Sequence, residues 1–188
     1  MPQDDPPAQK RVLAIVGMAG SGKSCIAEAA LVRDWPVVYF GGQVLAYLAG
    51  QGIDINPENE RKAREELREK LGMGAMAILT AENIDKEFQN QPLIVIDGLY
   101  SYAEYEELTK RYQVTLVAVV APRALRHQRL GVRKDRPLDA NQAKDRDFAE
   151  LQQLQKGWPI ALADHYLLND QDRATFDTHI AQLFDHFS

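Results

Sequence analysis

The sequence predicts a three-layered α/β fold, and three observations predict it. Short, continuous apolar runs rich in β-branched residues stand at 12–16, 36–40, 93–96, 114–120 and 166–168, a length and composition that suit buried strands. Longer helix-compatible stretches separate the runs, so each strand reaches the next by a crossover, which makes the strands parallel and puts helices on both faces of the sheet. A glycine-rich turn, Gly17-Met18-Ala19-Gly20-Ser21-Gly22-Lys23-Ser24, joins the first run to the first helical stretch.

Taken in order, residues 1–10 hold prolines and aspartates without an apolar run and are expected to be a frayed tail ahead of one domain over 11–188. A chain of 188 residues with 45% apolar content suffices for one core. Helices are expected over 22–33, 41–49, 57–71, 73–86, 101–111, 122–133, 141–156 and 172–187. Asn56-Pro57-Glu58 reads as a helix N-cap with proline at the first helical position and an acid in the first turn, and Gly72 as the stop after Leu71. The stretch 133–139 is charged and broken by Pro137, the pattern of a mobile surface loop.

Composition narrows the partners. A net charge of -5 argues against a broad nucleic-acid surface, so no nucleic-acid partner is expected. No run approaches the ~18 apolar residues of a membrane span and residues 1–10 lack the pattern of a signal peptide, so a cytoplasmic protein without a membrane partner is expected. Cys25 is the only cysteine, which excludes an intrachain disulfide and a cysteine-cluster metal site. Its place at a helix start is one where a thiol pKa can fall, the plainer alternative being a small packed residue. The four histidines show no metal-ligand spacing.

The turn has the pattern G-x-x-x-x-G-K-S between a strand and a helix, the context in which it binds phosphate. Gly17, Gly20 and Gly22 allow backbone conformations that aim the amides of Gly17, Met18, Ala19, Gly20, Ser21, Gly22, Lys23, Ser24 and Cys25 around an anion at the positive end of a helix. Lys23 is expected to span the β- and γ-phosphates and Ser24 to ligate Mg²⁺. ATP is the expected nucleotide, because the guanine-reading N-K-x-D tetrad is absent. Asp97 ends the apolar run 93–96 at the sheet edge where ligands bind in open α/β sheets. There it holds Mg²⁺ through water or accepts a proton from an attacking hydroxyl, or else it caps the turn into Gly98.

Several further segments resemble the dephospho-CoA kinase-like branch of the P-loop nucleotide kinases. They are Val95-Ile96-Asp97-Gly98-Leu99-Tyr100-Ser101 with Glu104, Arg126-x-x-Arg129-Leu130-x-x-Arg133, the pair Arg146-Asp147, and Ile160-Ala161-Leu162-Ala163-Asp164-His165-Tyr166 with Asn169. The likeness runs from about residue 12 to about residue 169. It implies a P-loop nucleoside triphosphate hydrolase fold of nucleotide-kinase type with a five-stranded parallel sheet. It also implies a helical acceptor-binding insert at about 41–90, a lid at about 126–141, and transfer of the γ-phosphoryl of MgATP to a small acceptor. Arg126, Arg129, Arg133 and Arg136 then belong to the lid region, with Arg129 and Arg133 as its catalytic cations. Asn169 and Asp170 border the base, and Gly42, Gly98 and Tyr100 fall at acceptor positions. Related chains often carry an acid where Gly42 stands, an arginine where Leu45 stands and an arginine where Tyr100 stands, so their acceptor does not transfer to this chain.

Arg61, Arg64 and Arg68 share one helix face and can form an anion-binding row, or pair with Glu60 and Glu65 on a solvated helix. The resemblance favours Arg64 and Arg68 as acceptor contacts. Tyr100 either stacks on an acceptor or packs at the sheet edge. Two functions follow: a small-molecule kinase acting on a nucleotide, nucleoside or dephospho-CoA-like compound, and a regulatory ATP-binding switch with no small acceptor.

Overall fold

The computed structural model describes residues 9–134 and 136–187. The expected tail therefore lies almost wholly outside the described residues, as does Asp135 of the expected lid. Among the described residues five parallel strands form one sheet in the order β2-β3-β1-β4-β5, with β1 Arg11–Val16, β2 Val37–Tyr39, β3 Leu93–Asp97, β4 Gln113–Val120 and β5 His165–Leu168. The fold is the three-layer α/β/α arrangement that the alternation of runs predicts.

Strand periodicity assigns the two faces. On β1, Val12, Ala14 and Val16 join one core cluster while Leu13 and Ile15 join the other. The first face is covered by α2 (Gly42–Gly50), α3 (Pro57–Leu71), α4 (Ala75–Glu87) and α5 (Tyr102–Thr109), through Leu48, Leu67, Met76, Ile84 and Leu108. The second is covered by α1 (Lys23–Val32) and α9 (Arg173–Asp185), through Ile26, Phe176, Ile180 and Phe184. Each such side chain contributes about 1.5–3 kcal/mol by leaving water.

The signals around α3 act as read. Asn56 accepts from the Asn59 amide, Pro57 occupies the first turn, and Gly72 ends the helix at φ 84, where a β-carbon would be strained. The helix expected over 141–156 stops early: α7 is Ala140–Gln152, Gln155 turns left-handed at φ 54, and a short α8, Gly157–Ala161, follows. Sequence periodicity missed this break because the bend places a backbone amide, Lys156 N, on Glu150 O at 3.1 Å, a contact with no hydrophobic signature. Between α5 and α9 lies α6, Arg123–Val132, which leads through the 133–139 segment to α7. No helix among the described residues is long and apolar enough to cross a membrane.

Candidate phosphate-binding and acceptor site

The parallel sheet brings the C-terminal ends of β1, β3, β4 and β5 to one edge, and the glycine-rich turn leaves β1 there. Ile15 pairs with Asp97, so the carboxylate sits beside the root of the loop. Close packing dictates the glycines. A β-carbon on Gly17 would lie 2.5 Å from the Val119 carbonyl oxygen, and one on Gly20 would lie 2.6 Å from that of Arg126. The loop is thus wedged between β4 and α6, which fixes its shape before any ligand arrives.

Side chains from three elements brace it. Arg126 donates to the Ala19 carbonyl at 3.0 Å and forms a two-bond fork with Asp147 at 2.6 and 2.8 Å. Burial pushes the Asp147 carboxyl up, but the hydrogen bonds from Arg126 and His127 outweigh it and hold the group below the usual carboxylate range. Asn169 donates to the Ser21 carbonyl at 2.7 Å and accepts from Arg129 at 3.1 Å. Glu150 accepts from the Ala19 amide at 2.9 Å, from Lys156 at 2.9 Å and from Arg146 at 3.0 Å.

Lys23 donates to the loop carbonyls of Gly17 at 2.8 Å and Met18 at 3.3 Å. Burial lowers its pKa, against the pull of Asp97 and Glu150. The Asp97 carboxyl is pushed up by burial and drawn down by Lys23 and Lys156, and its Oδ1 is buried without a hydrogen-bond partner. Arg129 Nη1 and Ser21 Oγ are likewise buried and unpartnered. Orphaned polar groups beside the loop suit a polyanion, but the Ser21 and Cys25 amides, expected to face it, donate to the Met18 and Gly22 carbonyls, both at 3.1 Å. An orphaned carboxylate oxygen suits a hard cation that takes its other ligands from phosphate and water. The described residues hold no cluster of three or more acidic, histidine or cysteine side chains able to bind a metal unaided.

Past the C-terminal end of β2 opens a cavity of about 180 Å³, lined by Tyr39, Leu45, Ile55, Met76 and Tyr100 with Glu60, Arg64 and Arg136 among its walls. Burial and the neighbouring Tyr39 push the Tyr100 phenol well above its ordinary pKa, so it stays a neutral donor. Arg136 reaches across to Glu60 at 3.6 Å, joining the segment after α6 to the helical layer.

The expected site residues divide accordingly. The loop residues, Asp97, Arg129 and Asn169 converge, and Arg64 and Tyr100 line the cavity. Gly42 and Gly98 do not line it: Gly98 lies beneath the rings of Tyr39 and Tyr100, where a β-carbon would touch the Tyr39 ring at 3.5 Å. Arg68 turns instead toward Glu104, 4.0 Å away in the interior. Arg133 is exposed and donates to the Arg136 carbonyl at 2.5 Å. Asp170 is exposed, whereas the Asn169 side chain is spent on the loop. The thiol of Cys25 is not activated, because burial raises its pKa more than Arg173 lowers it. Arg126, placed in the lid by resemblance, is buried and anchors the loop. Sequence reasoning missed Glu150 and Lys156. Only the spacing of Asp147 and Glu150 on one face of α7 marked a polar helix face turned inward.

Similarity to known proteins accords with this geometry. No protein-family model matches the chain. A UPF0200 protein of Pyrococcus furiosus is 34% identical over 183 residues, covering 93% of this chain and 98% of the relative. The chain belongs to the UPF0200 family. Another UPF0200 member, from Thermococcus gammatolerans, is 32% identical over 93% of this chain and 94% of its own. Among solved structures, a Thermus thermophilus protein has a TM-score of 0.67 at 16% identity, covering 96% of this chain and 99% of that one. Dephospho-CoA kinase from Campylobacter jejuni has a TM-score of 0.60 at 15% identity over 95% of this chain and 98% of that one, and shikimate kinase from Bacteroides thetaiotaomicron 0.60 at 14% over 96% and 99%. These likenesses give UPF0200 a fold shared with small-molecule P-loop kinases. The dephospho-CoA kinase resemblance therefore holds for the fold, while the family is UPF0200.

Proposed function

We propose that this UPF0200 protein is a phosphotransferase that moves the γ-phosphoryl group of MgATP to a small-molecule acceptor such as a nucleotide, nucleoside or dephospho-CoA-like compound. The observation that carries the reading is the junction of loop and cavity: Tyr100 lines the cavity and lies under the Lys156 ammonium, 4.7 Å from the ring centre, while Lys156 is tied through Glu150 to the loop amide of Ala19. This chain of contacts links the wall of an acceptor-sized cavity to the loop.

When bound, MgATP supplies an activated phosphoryl group and a metal that neutralises its charge. Lys23 and the loop amides bind the phosphates, and Ser24 with Asp97 would hold the metal. The raised pKa of Asp97 makes it able to take the proton of an acceptor hydroxyl aimed at it. Tyr100 and Arg64 orient the acceptor from the cavity wall, and Arg129 offers its unpartnered Nη1 to phosphate oxygens. A cytoplasmic setting goes with this reading.

A regulatory ATP-binding switch without a small acceptor is the second reading, favoured by Leu45 and Tyr100 lining the cavity where charged contacts would mark an acceptor. ATP turnover measured across nucleotides, nucleosides and dephospho-CoA separates the two. One compound stimulating turnover and appearing phosphorylated supports transfer, and uniform unstimulated hydrolysis supports the switch.

A further inference from the structure

Among the described residues, Glu150 and Lys156 are the one ion pair at the site in which both side chains are almost wholly buried, 1% and 2% exposed, at 2.9 Å. Removing two charges from water costs free energy that their attraction returns only in part, so such a pair is poor evidence of a stabilising role. The fold adds backbone strain to make it: Gln155, a non-glycine residue at φ 54, precedes Lys156. Strain and desolvation concentrated at one point call for a functional reason.

The partners of the pair indicate one. Oε2 of Glu150 accepts from the Ala19 amide, so a carboxylate oxygen occupies one of the loop amides that the glycine-rich pattern leads one to expect on phosphate. Its other oxygen is shared by two cations, Lys156 and Arg146. Lys156 also lies over Tyr100, at the wall between loop and cavity. An anion seated on a loop amide and holding two cations, one of them over the cavity-lining Tyr100, has the charge pattern of a bound phosphoryl group.

We infer that Glu150 holds a phosphate-oxygen position on the loop and yields Lys156 to the terminal phosphoryl group when a nucleoside triphosphate binds, which makes Lys156 a further catalytic cation. The inference rests on the nucleotide-binding reading above. Released from the carboxylate, Lys156 and Arg146 meet the charge that spreads over the phosphoryl oxygens during transfer. No covalent bond changes in the hand-over. It favours ATP over ADP because a ligand shifts such an arrangement only by its differential contacts, and ADP lacks the group that Lys156 would receive.

The test measures dissociation constants for ATP and ADP by calorimetry on the full chain, with thermal melting as a control for folding. Glu150→Gln keeps an acceptor for the Ala19 amide but removes the competing charge, and is expected to tighten ATP binding by about tenfold. Glu150→Gln combined with Lys156→Met leaves no buried charge unpaired in this couple, so it is expected to fold. Relative to Glu150→Gln alone, its preference for ATP over ADP should fall by about tenfold. Unchanged or weaker ATP binding by Glu150→Gln would overturn the hand-over and make Glu150 a strut of the loop. An ATP preference that is the same with and without Lys156 would reduce that lysine to a partner of Glu150. A wild-type protein that binds neither nucleotide would instead remove the nucleotide reading itself, a result distinct from both.

Discussion

Lys23 and Asp97 act on each other through a low-dielectric interior, each offsetting part of the other's burial. Lys23→Ala removes a charge that touches only loop carbonyls, so the fold should survive while ATP binding weakens and turnover disappears. Nucleotide affinity and melting temperature measured together check this, and normal turnover in a folded variant would contradict it. Asp97→Asn should behave differently. If the carboxylate orients metal-bound water or takes the acceptor proton, turnover falls by about a hundredfold or more while ATP affinity changes little. A cap on the Gly98 turn would instead appear as lost stability with turnover preserved, and a comparison of kcat with the dissociation constant of ATP tells these outcomes apart.

At the scale of elements, α6 and α7 form a clamp on the loop rather than a free lid, since Arg126 and Asp147 lock one helix to the other and Arg126 also holds Ala19. Arg126→Met strands the Asp147 carboxylate with His127 alone and should cost about 3–5 kcal/mol, read as a lower urea midpoint with the m-value unchanged. Beyond Val132 the chain meets α3 through Arg136 and Glu60. Protease cleavage within 133–140 should slow when ATP and acceptor are both present, and Arg136→Ala should reduce that protection. The sequence made the strands, the loop and Asp97 legible because each is a local pattern, an apolar run or a fixed spacing. Glu150 and Lys156 were not legible. Their position depends on α7 folding back over the loop and on the left-handed turn at Gln155, and neither leaves a periodic signal in the chain. Arg68 failed for a related reason: helix spacing placed it beside Arg64 on one face, but four residues of further rise carry it past the cavity and toward Glu104.

Across the whole molecule, Glu104 couples the acidity of the medium to the packing of the helical layer. Ser101 and Glu104 form a capping box at the start of α5, in which the Glu104 carboxylate accepts from the Tyr100 and Ser101 amides at 2.8 and 3.0 Å. Its other oxygen is buried without a hydrogen bond, with Arg68 4.0 Å away. Burial drives the carboxyl up from 4.5 to about 7, against the amides and Arg68. Between those values the unfolded chain has released a proton that the folded chain retains, so unfolding free energy should decline as pH rises through that window. Asp147 and Glu150 have the opposite sign: their pKa values are lowered, so their contribution is lost as the medium is acidified below their ordinary range. The two opposing slopes put a stability maximum on the acid side of neutrality. Glu104→Gln keeps an oxygen for the two amides and removes the titration, so its stability should be flatter than wild type from about pH 5 to about pH 8, a difference approaching about 1.4 kcal/mol for each pKa unit. Urea unfolding at a series of pH values measures it. A wild-type profile already flat across that range would mean that Glu104 ionises in the folded state as easily as in water. Because the Tyr100 amide donates to the same carboxyl group and Tyr100 lines the cavity, acceptor affinity should change over the same pH range in wild type and stay constant in Glu104→Gln.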